Sequence, residues 1–86
     1  NVSREQLATM IYRYEKFTGG GFQDAWAFLL DYVDRDSISD WAYESVCWMT
    51  VNSVMNGMPE KLFAPKETAT RAQLATVLAN YIELEA

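Results

Sequence analysis

A short stretch that begins with a helix-capping signal occurs twice in this chain and constrains its fold more than any other feature. Residues 3–11 read Ser-Arg-Glu-Gln-Leu-Ala-Thr-Met-Ile, and residues 70–78 read Thr-Arg-Ala-Gln-Leu-Ala-Thr-Val-Leu. The second stretch keeps the arginine, glutamine, leucine, alanine and threonine of the first in the same order. Such internal similarity predicts a structural unit that is repeated along the chain.

Each copy begins with the pattern of a capping box. Ser3 is followed three positions later by Gln6, and Thr70 is followed at the same spacing by Gln73. In this motif the hydroxyl oxygen accepts a hydrogen bond from the backbone N–H of the glutamine, whose side chain reaches back to the first residue. The spacing therefore predicts that a helix begins at both places.

Apolar residues follow each cap at helical spacing and predict one apolar stripe for each helix. An arginine occupies the first helical position in both copies, where a cation gains nothing from the positive end of the helix dipole. Its double occurrence there needs a reason other than helix stability. The residues of the two stripes are Leu7, Met10, Ile11 and Tyr14 in the first copy and Leu74, Val77, Leu78 and Tyr81 in the second.

Composition narrows the classes of function. A chain of 86 residues forms at most one small domain with a modest core, which additional repeats or oligomerisation would support. Half of the residues are hydrophobic, as in a globular protein. The net charge of −5 argues against nucleic acid and anionic membranes as partners, and no run is long enough to insert into a bilayer.

The reactive side chains do not favour an enzyme. Histidine is absent and Cys47 is the single cysteine, which excludes catalytic triads, imidazole or thiolate metal sites and an internal disulfide. Cys47 lies among apolar residues and is predicted to be buried. We therefore predict no catalysis, no cofactor and no metal site. The acidic cluster favours a solvated capping loop over a calcium site; its members are Asp31, Asp34, Asp36 and Asp40.

The periodicity predicts an all-α fold with three main helices joined by long ordered loops. Their expected bounds are about 4–17, 40–51 and 71–84. The segment 22–30 is too apolar for a free linker and is expected to be irregular and packed over the core.

Turn residues mark the expected helix ends. The glycines of residues 18–21 should end the first helix. Ser37 or Ser39 should cap the second helix, and Asn52-Ser53 should end it, with Asn52 in the left-handed conformation. We also expect Phe63 to be buried.

The order of motifs resembles the S-layer homology domain. Tyr32-Val33-Asp34 resembles its aromatic-x-Asp start, Trp41-Ala42 its first helix, and Asn56-Gly57 its glycine turn. Phe63-Ala64-Pro65 and Thr70-Arg71-Ala72-Gln73 complete the pattern. On this resemblance residues 31–84 form a full repeat, residues 1–17 are the second half of a preceding repeat, and residues 18–30 are a glycine-rich spacer with an apolar packed segment.

The resemblance implies a non-catalytic module on the surface of a Gram-positive bacterium. Such domains bind secondary cell-wall polysaccharides, often with pyruvylated sugars, and therefore imply an extracellular location in the cell wall. A guanidinium group suits an anionic sugar because it offers a carboxylate two parallel donors. The glycan-binding residues that the resemblance implies are Arg71, Arg4, Trp41, Asp34 and Gly57.

Several positions depart from the family pattern. The glutamate expected after Arg-Ala is Gln73, and the usual Asp-Gly before the Phe-x-Pro segment is replaced by Glu60-Lys61. These departures support an alternative, in which the module keeps the fold for structure or protein interaction but has lost glycan binding. Such a module would self-associate or pack against neighbouring repeats.

Structural roles compete with binding roles for the same residues. Arg4 and Arg71 either bind a ligand or tie each helix start to a carboxylate such as Asp34 or Glu60. Trp41 is either a core or interface residue or a platform for a sugar ring. The sequence leaves both choices open.

Overall fold

The protein has an all-α architecture, as the sequence predicts. A computed structural model describes residues 2–22 and 30–85, in which α1 spans Arg4–Phe17, α2 spans Asp40–Val51 and α3 spans Arg71–Glu85. Short 3₁₀ turns at Arg35–Ser37 and Pro59–Lys61 interrupt the loops, and this part of the chain forms no sheet. The expected helix bounds are confirmed to within one residue.

Both predicted capping boxes are present. Ser3 Oγ accepts from the backbone N–H of Gln6 at 3.2 Å, and the Gln6 side chain accepts from Ser3 N–H at 2.9 Å. Thr70 Oγ1 accepts from Gln73 N–H at 3.0 Å, and the Gln73 side chain accepts from Thr70 N–H at 3.0 Å. Local sequence alone therefore fixes where α1 and α3 begin.

The glycine run ends α1 as expected. Gly19 takes a positive φ of 96°, a conformation that costs glycine little. Gly19 N–H donates to Lys16 O at 3.1 Å, and Gly20 N–H donates to Glu15 O at 2.8 Å. These two bonds form a Schellman motif, which satisfies carbonyl groups at the end of the helix.

The ends of α2 differ from the prediction in detail. Ser39 is the N-cap residue, but its side chain makes no capping bond, because its hydroxyl donates to Glu5 Oε2 at 2.8 Å and its oxygen accepts from Lys66 Nζ at 2.5 Å. Asn52 keeps a negative φ of −94°, and Ser53 instead takes the left-handed conformation at φ 58°. The prediction for Asn52 was wrong because Asn52 is the C-cap residue, and the left-handed conformation occurs at the residue after the C-cap, which is Ser53.

The core lies between α1, α2 and the loops that follow α2. Phe63 is fully buried as predicted, and so is Cys47, whose pKa burial raises to about 11. A thiol with so high a pKa is inert at neutral pH. The loop anchors Tyr32 and Ile38 are also buried. The buried face of α2 includes Ala42, Ser45, Val46 and Met49.

Aromatic contacts connect the three helices. The ring centroid of Trp48, on α2, lies 5.8 Å from that of Tyr12 on α1 and 6.4 Å from that of Tyr81 on α3. The hydroxyl of Tyr81 also donates to Glu15 Oε1 at 2.7 Å in a buried hydrogen bond between α3 and α1. Tryptophan fluorescence, to which Trp48 contributes as one of three tryptophans, therefore reports in part on the packing of the three helices.

Residues 23–29 lie outside the described residues. The expectation that the segment 22–30 packs over the core can therefore be compared with the structure only at its two ends. Leu30 is fully buried, and Phe22 packs against the core. No helix among the described residues is both long enough and apolar enough to cross a membrane.

Candidate functional site

Arg4 is buried at the start of α1, with only 4% of its surface exposed. Its Nε donates to Phe63 O at 2.7 Å and its NH2 donates to Asn56 O at 3.0 Å, while the guanidinium lies 5.0 Å from the centre of the Phe63 ring. Burial lowers its pKa, whereas the nearby carboxylates of Glu67 and Asp34 oppose that shift. The structural alternative for Arg4 predicted an ion pair with a carboxylate, but the acceptors of its hydrogen bonds are backbone carbonyl oxygens.

Asp34 and Gly57 shape the loops around Arg4. The two carboxylate oxygens of Asp34 accept from Phe63 N–H and Ala64 N–H, each at 2.9 Å. A side chain at Gly57 would place its Cβ 2.6 Å from Tyr32 Cε1, so the close approach of that ring requires glycine. Each residue therefore has a structural role, and glycan contact by Arg4, Asp34 and Gly57 stays a prediction.

Arg4 and Gly57 lie together, because both line one cleft of about 280 Å³ between α3 and the loop after α2. Gln73, Thr76 and Asn80 of α3 add polar side chains to this cleft. The predicted residues Trp41 and Arg71 each line a different depression on the surface. Asp34 lines neither this cleft nor those two depressions. The five predicted residues thus do not converge on one site.

Trp41 is exposed at the first turn of α2, with 56% of its surface accessible. It lines a depression of about 380 Å³ together with residues of α1, which we call the Trp41 depression. Of the roles left open for Trp41, burial in the core is therefore wrong. The other residues of the depression are Val2, Gln6, Thr9, Met10 and Arg13.

The Trp41 depression adjoins the surface around Arg71. A second depression, of about 220 Å³, is lined by Arg71 and shares Val2 and Met10 with the first. Two guanidinium groups, those of Arg13 and Arg71, therefore flank one stretch of surface that includes an exposed indole. In a protein with a net charge of −5, this arrangement offers an anionic ligand a local cationic contact.

An apolar groove of about 420 Å³ continues this surface between α1 and α3. We call it the α1–α3 groove. Each predicted stripe is present, but only half of it is buried. Met10 and Tyr14 of α1 and Leu74 and Leu78 of α3 are exposed and line this groove. Its residues are Leu7, Met10, Ile11, Tyr14, Leu74, Leu78 and Tyr81.

A buried carboxylate connects α1 to the following loops. Glu5 Oε1 accepts from Ser39 N–H at 2.9 Å, and its Oε2 accepts from Ser39 Oγ at 2.8 Å and from Lys66 Nζ at 2.9 Å. Burial by itself raises the pKa of Glu5, but the hydrogen bonds from Ser39 and Lys66 outweigh it and hold the pKa below its ordinary value of 4.5. The charged form of Glu5 therefore stabilises the fold.

This arrangement predicts a pH dependence of stability. A carboxylate whose pKa is depressed on folding contributes stability above its unfolded pKa and loses it as the pH falls through the folded pKa. We expect Glu5→Gln to lower the free energy of unfolding by about 1.5 kcal/mol at pH 7, and this difference to shrink below pH 4.5. Urea denaturation at several pH values, followed by tryptophan fluorescence, measures this difference in the free energy of unfolding. Asp36→Asn, at an exposed position, is the control, and identical pH profiles of Glu5→Gln and wild type would contradict the assignment.

Sequence reasoning missed Arg13 and the network of Glu5, Ser39 and Lys66. Arg13 follows Gln6 by two helical turns, so a search of the face of α1 beside the apolar stripe would have found it. Glu5 occupies the position that Ala72 occupies in the second copy. This difference between the two copies was the only feature of the sequence that distinguished Glu5. Ser39 and Lys66 carry no local signal, because their contacts with Glu5 span 34 and 61 positions.

The fold and surface define a class of protein: an all-α module that exposes cationic and aromatic residues on α1 and at the starts of α2 and α3. The chain belongs to the S-layer homology domain family, whose model matches residues 31–75. The resemblance drawn from the motifs is thereby confirmed. Domains of this family are non-catalytic modules that bind cell-wall polymers and anchor proteins at the cell surface.

Two relatives support this membership. Over 84 residues, 96% of this chain, it is 33% identical to the exoglucanase XynX of Acetivibrio thermocellus and 33% identical to an amylopullulanase of Thermoanaerobacterium thermosulfurigenes. Both sources are Gram-positive anaerobes. The chain spans 8% and 4% of the lengths of these relatives, so the matches cover only the S-layer homology part of each enzyme. A comparison with solved structures finds no match.

Proposed function

We propose that this chain attaches a larger protein to the bacterial cell surface by binding an anionic secondary cell-wall polysaccharide, without catalysis of its own. The observation that carries the proposal is the exposed Trp41 beside Arg13 in one depression. The apolar face of an indole suits a sugar ring, and a guanidinium pairs with a carboxylate through two parallel donors. A pyruvylated sugar provides both features in one residue.

The neighbouring depression extends this site. Arg71 lies across Val2 and Met10 from Trp41, so a polymer longer than one sugar can contact both arginines. The exposed Gln6 side chain, whose oxygen accepts from Ser3 N–H, still offers its amide nitrogen as a donor to a sugar hydroxyl. The charge of the site favours anionic over neutral polysaccharide.

Binding to a purified polymer tests the proposal. We expect secondary cell-wall polysaccharide from Acetivibrio thermocellus to bind the chain in isothermal titration calorimetry, and Trp41→Ala to weaken binding at least tenfold, about 1.4 kcal/mol. Phe17→Ala, which removes an exposed aromatic side chain outside the depression, should leave the affinity unchanged. Polymer from which pyruvate has been removed should bind more weakly. Equal binding by wild type and Trp41→Ala would refute the site.

The α1–α3 groove supports a second candidate function, namely packing against another protein unit. A groove lined by seven mostly apolar side chains is typical of a protein contact and not of a glycan contact. A neighbouring repeat or a second copy of the chain would bury it. This function is compatible with the first, because Met10 is the one residue that lines both the Trp41 depression and the groove.

A further inference from the structure

The two equivalent helices differ in which half of their stripe is covered. Leu7 is 4% exposed, whereas its counterpart Leu74 is 39% exposed. Ile11 is 8% exposed, and its counterpart Leu78 is 41% exposed. The same positions are therefore buried on α1 and open on α3.

The other half of the stripe shows the opposite pattern. Met10 and Tyr14 of α1 are exposed, whereas their counterparts Val77 and Tyr81 of α3 are buried. Each helix thus has one face that packs within its own repeat and one that packs on the following repeat. On α1 the following repeat is present, and on α3 the corresponding face is open.

The structure shows what covers the start of α1. Glu67 O accepts from Arg4 N–H at 2.8 Å, and Pro65 O accepts from Glu5 N–H at 3.0 Å. The Arg4 side chain donates to two further carbonyl oxygens, those of Asn56 and Phe63. The loop that follows α2 therefore covers the first helical turn and receives the arginine on its backbone.

The start of α3 has an arginine at the same position but not the same cover. Arg71 occupies the position of Arg4 behind an equivalent capping box, in which Thr70 replaces Ser3, and its side chain is exposed. Within residues 2–22 and 30–85, no carbonyl accepts from the backbone N–H of Arg71 or Ala72, and the Arg71 guanidinium has no hydrogen bond. Because Leu74 and Leu78 are open as well, polar and apolar contacts are missing together.

We propose that Arg71 is a latch for a further unit of the same repeat. That unit packs on the open face of α3 as residues 31–69 pack on α1, and it receives the Arg71 guanidinium on two backbone carbonyl oxygens of its glycine turn. The inference deepens the packing function and does not depend on glycan binding. It also explains why arginine recurs at a helix position where the dipole does not favour it.

We use the word joint for the contact of α1 with residues 31–69 and for the proposed contact of α3 with a further unit. The two joints differ in one chemical respect. Glu5 holds Ser39 and Lys66 at the first joint, whereas Ala72 at the equivalent position has no carboxylate. A unit that carries a lysine at the position of Lys66 would leave it unpaired at the second joint. The α3 joint therefore favours a unit without that lysine, or gains from Ala72→Glu when the lysine is present.

An extended chain tests the latch. Residues 1–84 followed by a second copy of residues 18–84 continue the spacing between Arg4 and Arg71. We expect the amide protons of Arg71 and Ala72 to exchange fast in the present chain and to become protected at least tenfold in the extended chain. Native-state hydrogen exchange by NMR measures this protection and needs no substitution.

Substitutions then assign the effect to the side chain. Arg71→Ala should leave the urea midpoint of the present chain unchanged but lower that of the extended chain, and Arg71→Lys should not restore it because an ammonium lacks the planar fork of donors. Ala72→Glu should raise the midpoint of the extended chain alone. Arg35→Ala, outside the joint, is the matched control.

The outcomes separate this inference from glycan binding. Unprotected Arg71 and Ala72 amides in the extended chain would overturn the latch, as would equal effects of Arg71→Ala in the two chains. If Arg71→Ala weakens polysaccharide binding to the extended chain without lowering its midpoint, the arginine is a ligand group and the latch is wrong. If it lowers the midpoint and Trp41→Ala alone abolishes binding, both proposals stand with separate residues.

Discussion

Arg4→Ala is expected to lower the free energy of unfolding by about 4 kcal/mol, a large part of the stability of a domain this small. The guanidinium is 4% exposed and donates to Phe63 O and Asn56 O. Hydrogen bonds that involve a charged group contribute about 1.5–3 kcal/mol each, and alanine leaves the buried Phe63 carbonyl without a partner. The contact of the guanidinium with the Phe63 ring is lost as well.

The matched control for Arg4 lies in the same chain. Arg71→Ala removes the same charge from the same position of an equivalent helix, and we expect a change within about 0.5 kcal/mol because this side chain is exposed. Urea denaturation followed by tryptophan fluorescence compares the free energies of unfolding of the two variants. A loss of less than about 1 kcal/mol for Arg4→Ala would show that its backbone contacts contribute little to stability. Arg4 would then be available for a ligand.

Asp34→Ala is expected to cost about 3 kcal/mol, because its carboxylate accepts two charge-assisted hydrogen bonds. These bonds hold the backbone of Phe63 and Ala64, and Ala64 has a positive φ of 56° that alanine rarely adopts. Without the carboxylate, this strained loop loses its anchor beside the most deeply buried ring of the core. The turn that receives Arg4 should then loosen as well.

Two further variants sharpen the test of Asp34. Asp36→Ala removes an exposed carboxylate from the same loop and should change stability by no more than about 0.5 kcal/mol. Asp34→Asn keeps one acceptor oxygen and should show an intermediate loss. Thermal and urea unfolding of the three variants give the comparison. If Asp34→Ala unfolds like wild type yet loses polysaccharide binding, Asp34 acts as a ligand group and not as a loop anchor.

The two arginines show why the site was harder to predict than the fold. Helix starts depend on residues three positions apart, so Ser3 with Gln6 and Thr70 with Gln73 were sufficient to place them. The environment of Arg4 depends on carbonyl groups 52 and 59 positions away. No local pattern distinguishes a buried arginine from an exposed one.

The candidate site was predicted only in part. The motif order indicated Trp41 and Arg71, and the structure brings them to adjoining depressions. Arg13 joins Trp41 only because α1 and α2 pack side by side. Asp34 and Gly57 belong to the same motif set, but tertiary contacts give them roles in shaping the loops.

The sequence by itself determined the repeat, the three helices and their caps, because these depend on side chains within one or two helical turns. Only the tertiary structure decided which half of each apolar stripe is buried. That choice depends on the unit that packs against a helix and not on the helix itself. The similar stretches around Arg4 and Arg71 therefore have opposite environments, one covered by the loop that follows α2 and the other open.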